Sequence, residues 1–195
     1  MTIMKVAADH FSAYGYDATH LEAIAKECDI SKPAIYYHFK DKAALYEAVL
    51  LKRFSALSDI IEKNTNMGNP VKNLKSYIKT FGEFLIDTPC FSAIFAREIA
   101  NGAKSMPESC ITELSKTLKN LTSILESGKE KEIFHCENPF MIQMMIVTTL
   151  TSYITTKELR DRVSLVLTQS NKKFDPNIED VIENLSDKII KALSC

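Results

Sequence analysis

The sequence predicts an all-α protein, with an N-terminal three-helix helix-turn-helix unit over residues 1–45 and a larger helical unit over residues 46–195. Three observations carry this. Helix breakers are scarce, with 5 Gly and 6 Pro in 195 residues, while Leu, Ile, Ala, Lys and Glu, which favour helices, are abundant. Apolar residues recur three and four apart in one segment after another. The stretch from Thr19 to Lys42 reads as two short helices, a tight turn between them, and a third helix entered at Asp41.

The first helix is expected over residues 2–14, where Ile3, Met4, Ala7, Ala8, Phe11 and Tyr14 fall on one side, with Gly15 as its stop. Thr19 and Glu22 have the spacing of a capping box at the head of the second helix. The Thr19 hydroxyl would accept from the Glu22 backbone N–H, and the Glu22 carboxylate would reach back. Leu21, Ile24 and Ala25 give that helix its apolar face. Asp29 stands where the turn must come, a position suited to a residue tolerant of left-handed backbone. Ile30 would plug the turn into the core. Ser31 is the expected N-cap of the next helix, with Pro33 in its first turn, where a missing N–H is harmless. Ile35, Tyr36 and Phe39 would face inward or flank the core, which leaves Lys32, Ala34, Tyr37 and His38 outside. Asp41 caps a long fourth helix reaching about Glu62.

The polar run Asn64 to Asn69 is the strongest compositional break. A fifth helix opens at Asn69-Pro70 and ends before Pro89. A short one follows, through Phe91, Ile94, Phe95 and Ile99 to a stop at Gly102. The next starts at Pro107 and runs to Leu125, with Gly128 and the Lys-Glu-Lys-Glu run forming an exposed turn. Asn138-Pro139 starts a helix that is apolar nearly all round and so should be covered on more than one side. Val163, Leu165, Val166 and Leu167 suggest a further helical piece within the polar stretch 157–176. The last helix, about Asn177 to Leu193, carries a stripe of Ile178, Val181, Ile182, Leu185, Ile189 and Leu193.

Formal net charge is −1, so overall charge says little about partners. Its distribution says more. In residues 1–30, Lys5 and Lys26 face Asp9, Asp17, Glu22, Glu27 and Asp29. In residues 31–53, Lys32, Lys40, Lys42, Lys52 and Arg53 face only Asp41 and Glu47. Positive charge is thus gathered on the second helix of the helix-turn-helix and its successor, as phosphate binding requires. The five cysteines (28, 90, 110, 136 and 195) are widely spaced without a CxxC pair, a pattern suited to a reducing cytosol. Pro139 to Thr156, the most apolar run, is too short and too rich in Thr for a membrane span, and no signal peptide opens the chain. No glycine-rich phosphate loop, HExxH or nucleophile–base pattern stands out, so no catalytic residue and no cofactor is expected. His135-Cys136-Glu137 makes a poor metal site, because chain neighbours rarely converge on one ion.

Taken as a set, Gly15, Thr19, Ile24-Ala25, Ser31 and Ile35-Tyr36-Tyr37-His38-Phe39, followed by Lys42 and Leu45, resemble the TetR family of bacterial repressors. The resemblance covers about the first fifty residues. It implies an all-helical cytoplasmic homodimer, with an N-terminal DNA reader and a C-terminal domain for ligand sensing and dimerisation. It places Lys32, Pro33 and Ala34 at base edges, where Lys32 would meet guanine O6/N7 and the other two a thymine methyl. It places Tyr36, His38 and Lys42 at phosphates, and Thr19 there too through its capped helix start. Ser31, at the head of the same helix, belongs to this set, and Tyr37 should face the groove wall. His20 stands where a second Thr is common in the family, and Cys28-Asp29 where a small residue and Gly are common.

The expected partners are a double-stranded DNA operator, a second copy of the chain held through the last two long helices, and a small, largely apolar effector. Phe81, Phe84, Phe91, Phe95, Met141, Met144, Met145, Thr148 and Tyr153 are the candidates for enclosing that effector. Arg97-Glu98 also resembles a recurrent feature of some family members. Ordinary core packing accounts for the same aromatic and Met residues. A helical small-molecule-binding or catalytic protein that uses the helix-turn-helix only as scaffold is the alternative function.

Overall fold

A computed structural model describes residues 2–66, 68–135, 137–167 and 175–194. Among the described residues there are ten helices. They are α1 (Ile3–Ala18), α2 (Leu21–Glu27), α3 (Lys32–His38), α4 (Lys42–Asn64), α5 (Pro70–Asp87), α6 (Pro89–Ala100), α7 (Glu108–Glu130), α8 (Pro139–Thr155), α9 (Lys157–Leu167) and α10 (Ile178–Leu193). Chain contacts divide into two compact units. The first comprises residues 1–58 and 88–116, the second 59–87 and 117–195, so the divisions fall inside α4, between α5 and α6, and inside α7.

In the first unit, α1 packs against α2 and α6, and α2 against α3. Val6, Ala7, Phe11, Ile24, Ile35, Leu45 and Leu50 are buried at its centre, and Phe54 meets Phe91 and Phe95 edge-on, with centroids 4.9 and 5.4 Å away. Gly15 ends the regular run of α1 as expected, with non-helical φ 81° and ψ 176°, and past that bend only the short turn from Tyr16 to Ala18 is helical again. Only glycine adopts that backbone readily.

In the second unit, α5 packs on α8 and α10, and α8 on α10. Asn138 accepts from the Phe140 backbone N–H at 2.9 Å and Asn177 from that of Asp180 at 2.7 Å, so both helices begin on a formed N-cap. The expected exposed turn comes later than Gly128: α7 continues to Glu130 and the chain turns at Lys131 and Glu132. A Cβ on Gly128 would lie 2.0 Å from Cδ2 of the buried Phe134 ring, so this glycine permits a close approach and is not a helix stop. The segment after α7 is tied to the chain end, where the His135 N–H donates to the Leu193 carbonyl at 2.7 Å.

The expected helical piece near residue 163 is α9. Residues 168–174 of the polar stretch, and Cys136 beside His135, lie outside the described residues. The expected all-round cover of α8 is not seen among the described residues. Ile142, Ile146, Val147 and Leu150 are buried, whereas Phe140, Met141 and Met144 are 65%, 61% and 50% exposed. Among the described residues no helix is long and apolar enough to cross a membrane.

Candidate nucleic-acid interface

The helix-turn-helix is built from local chemistry. Leu21, Ile24 and Ala25 seat α2 on the core. Its end is a Schellman motif. The Ile30 N–H donates to the Ala25 carbonyl at 3.0 Å and the Asp29 N–H to the Lys26 carbonyl at 3.2 Å, with Asp29 in the left-handed region at φ 55°. Asp is among the few residues with a side chain that tolerate this geometry, as the sequence anticipates. Ile30 is half-buried beneath the turn.

In α3, Pro33 occupies the first turn and Ile35, wholly buried, fixes the inner face. The other side is open. Tyr37 is 86% exposed, Tyr36 46%, and Ser31, Pro33 and His38 are exposed as well, with Lys32 and Ala34 half-buried among them. The Tyr37 and His38 rings meet edge to face at 5.1 Å. The Ser31 side chain makes no cap; its carbonyl accepts from the Ala34 N–H at 3.0 Å. Lys32 donates to the Glu22 carboxylate across the turn and lies 5.7 Å from the Tyr36 ring centre. That hydrogen bond lowers the Glu22 pKa and raises that of Lys32, so both stay charged.

The capping box is not formed. His20, not Thr19, is the N-cap of α2, and no side chain caps it. Thr19 is 1% exposed, and its hydroxyl points back at α1, donating to the Gly15 carbonyl at 2.6 Å. Glu22 is drawn away by Lys32, since a cation attracts a carboxylate more strongly than a neutral N–H does.

Lys42 lies in the first turn of α4, which Asp41 caps by accepting from the Ala44 N–H at 2.8 Å. Its ammonium donates to three carbonyls, those of Tyr16 at 2.8 Å and of Asp17 and Thr19 at 3.1 Å. It also sits 4.5 Å from the Tyr16 ring centre. An ammonium has three hydrogens, so all of them are engaged within the unit. Burial, helped by Asp41 and Asp17, pushes the Tyr16 phenol up. No role was expected for Tyr16, and Glu22 was expected only as the capping-box partner of Thr19. Their partners lie 26 and 10 residues away, beyond any helical periodicity.

The residues proposed to enclose an effector are distributed as follows. Phe91 and Phe95 belong to the first unit, stacked 5.7 Å apart. Phe81, fully buried, stacks with Tyr77 in the second, and Phe84 is half-buried there. Met141, Met144 and Met145 are exposed along α8, and the Thr148 hydroxyl donates to the Met144 carbonyl at 2.5 Å. The Tyr153 hydroxyl donates to Asp175 at 2.9 Å beneath the Arg160 guanidinium, 3.5 Å from its ring centre. A groove of about 350 Å³ between α8 and α10 is lined by Thr149, Pro176, Val181, Asn184, Leu185 and Lys188, none of them among the expected residues.

Residues 3–49 match the family of bacterial regulatory proteins described as tetR, and residues 50–193 match the C-terminal region of YcdC-like proteins. The chain is 29% identical over 131 residues to the HTH-type transcriptional regulator RutR of Escherichia coli K12, covering 65% of this chain and 62% of RutR. It is 38% identical over 85 residues to IcaR of Staphylococcus aureus Newman, the negative transcriptional regulator of the icaADBC biofilm operon, covering 44% and 45% of the two chains. The chain thus spans about 62% of the length of the RutR relatives it matches. Among solved structures, the TetR-family regulator PfmR of Thermus thermophilus superposes with a TM-score of 0.75 at 21% identity, over 100% of both chains. FadR of Bacillus subtilis, in complex with stearoyl-CoA, superposes with a TM-score of 0.75 at 17% identity, over 97% of both.

Proposed function

Because the chain belongs to the tetR family of bacterial regulatory proteins, we propose that it is a transcriptional repressor that grips a palindromic operator as a homodimer and lets go when a small, largely apolar ligand binds. The observation that supports this best is the two-sidedness of α3. Ile35 is wholly buried, whereas Pro33, Tyr36, Tyr37 and His38 are exposed around Lys32 and Ala34. A helix so seated presents its first residues to base edges in a major groove. Lys32, Pro33 and Ala34 would read bases. Tyr36, Tyr37, His38 and Ser31 would meet the backbone and groove wall. Thr19 and Lys42, turned inward, would act by fixing the start of α2.

The exposed Phe140, Met141 and Met144 of α8 favour a second copy of the chain as the dimer partner. Two readers would then enter successive major grooves about 34–36 Å apart. Repression is the sense carried by the name of IcaR, and an acyl ligand is named for FadR. A ligand favouring a different separation of the readers weakens operator binding by that difference in affinity. Such a regulator works where the chromosome is, in the cytoplasm.

The experiment is a fluorescence-anisotropy titration of the purified chain against DNA from just upstream of its own gene, at fixed salt, with scrambled DNA as competitor. Saturable binding about 10³-fold tighter than to the scrambled duplex is expected. Equal binding to both would leave the helix-turn-helix as scaffold only.

A further inference from the structure

The first unit holds a cavity of about 160 Å³ at the end of α1 and along α6, lined in part by Phe11, Tyr16, Tyr46, Arg97 and Glu98. Glu98 is 4% exposed. Its Oε1 accepts from the Tyr46 hydroxyl at 2.7 Å, while its Oε2, equally buried, has no partner. Buried carboxylate oxygens without a donor are rare, and one beside a cavity calls for a donor from outside the chain. Burial and the Glu98 contact hold the Tyr46 phenol protonated, so it remains a donor to Glu98.

The rest of the lining says what kind of donor. The Phe11 and Tyr16 rings lie 4.7 and 4.8 Å from that of Tyr46, a cluster whose faces attract cations and which already holds the Lys42 ammonium on Tyr16, 4.5 Å from its centre. Arg97, in the same lining, forms no ion pair with Glu98 among the described residues and donates its Nη2 to the Ala13 carbonyl at 3.0 Å, while Asp17 adds a second acid. An anion would meet Oε2 head-on, and a neutral apolar guest would leave that oxygen bare. The volume is close to that of a cavity that takes benzene, about six non-hydrogen atoms.

The geometry points to a binding site in this unit for a small protonated organic amine, its ammonium on Glu98 Oε2 and its carbon frame against the rings of Phe11, Tyr16 and Tyr46. Binding there needs no operator and does not rest on the regulator reading. An occupant would, however, touch the Gly15 bend and Tyr16, whose carbonyl Lys42 holds.

The test uses the full chain, ¹⁵N-labelled, titrated with piperidinium chloride and separately with tetrahydropyran, its neutral counterpart of the same size. Piperidinium should bind saturably and shift the amides of residues 14–18 and 97–101, with tetrahydropyran at least tenfold weaker. Glu98→Gln should weaken piperidinium at least tenfold, with its helical circular dichroism checked first. If that variant does not fold, the two guests on the unaltered chain still decide. Equal affinity for both guests, no binding up to about 10 mM, or shifts confined to residues 117–193 would each overturn the site.

Discussion

The ammonium of Lys42 lies 4.5 Å from the ring centre of Tyr16 and donates to the carbonyl of the same residue at 2.8 Å. One side chain at the head of α4 thereby holds the stretch joining α1 to α2, adding a donor to carbonyls at the end of α1. Lys42→Ala should lower stability by on the order of 2 kcal/mol, as hydrogen bonds from a charged donor typically contribute. It should also weaken binding to all DNA sequences alike. The slope of log affinity against log salt distinguishes positioning from contact: it stays unchanged if Lys42 acts through α2, and falls by about 0.9 if it touches a phosphate.

Lys32 is shared between Glu22 and any base it would read. Lys32→Ala is expected to relax preference at one base pair, by about 1–3 kcal/mol of discrimination. Glu22→Gln removes a competitor and a negative charge, so affinity for the operator should rise at low salt. Selection from a randomised duplex pool reads the first effect and anisotropy the second. A fall in affinity for Glu22→Gln would mean that the ion pair orients Lys32 instead of restraining it.

Gly128 sets two effects against each other. Alanine there favours the helix by about 1 kcal/mol, but its Cβ would overlap the Phe134 ring. Overpacking a core costs about 1–3 kcal/mol. Since the overlap is with a ring in a buried slot, the loss should win, and Gly128→Ala should melt several degrees lower by calorimetry. Gly128→Ala combined with Phe134→Leu should recover part of the difference.

The exposed face of α8 offers a direct check on assembly. Met144→Glu places a charge where a second copy is proposed to pack, and should turn a dimer into a monomer by sedimentation velocity while leaving the helical content intact. Sedimentation of the unaltered chain as a monomer at tens of micromolar would remove the basis for a two-reader operator.

Most of the architecture was legible because it is written locally. The spacing of Leu21, Ile24 and Ala25, Asp29 at the turn, Pro33 in a first turn, Asp41 and Asn138 as caps, and buried Ile35 against open Tyr37 all follow from neighbours within four residues. What escaped is non-local. The Thr19 and Glu22 pattern fits a capping box, but Lys32, 10 residues on, attracts Glu22, and the Gly15 carbonyl takes the Thr19 hydroxyl. Gly128 reads as a stop until Phe134 is folded against it. The Tyr46–Glu98 pair spans 52 residues and leaves no periodic trace.

The bend at Gly15 has an evolutionary consequence. The penalty at φ 81° and ψ 176° applies to any chiral side chain, whatever its size or polarity, because it arises at the Cβ itself. The space around it is otherwise ample, the nearest atom to an added Cβ being Arg97 Cδ at 3.9 Å. Position 15 is therefore held to glycine by handedness alone, and a lineage could change it only by rebuilding the joint between α1 and α2.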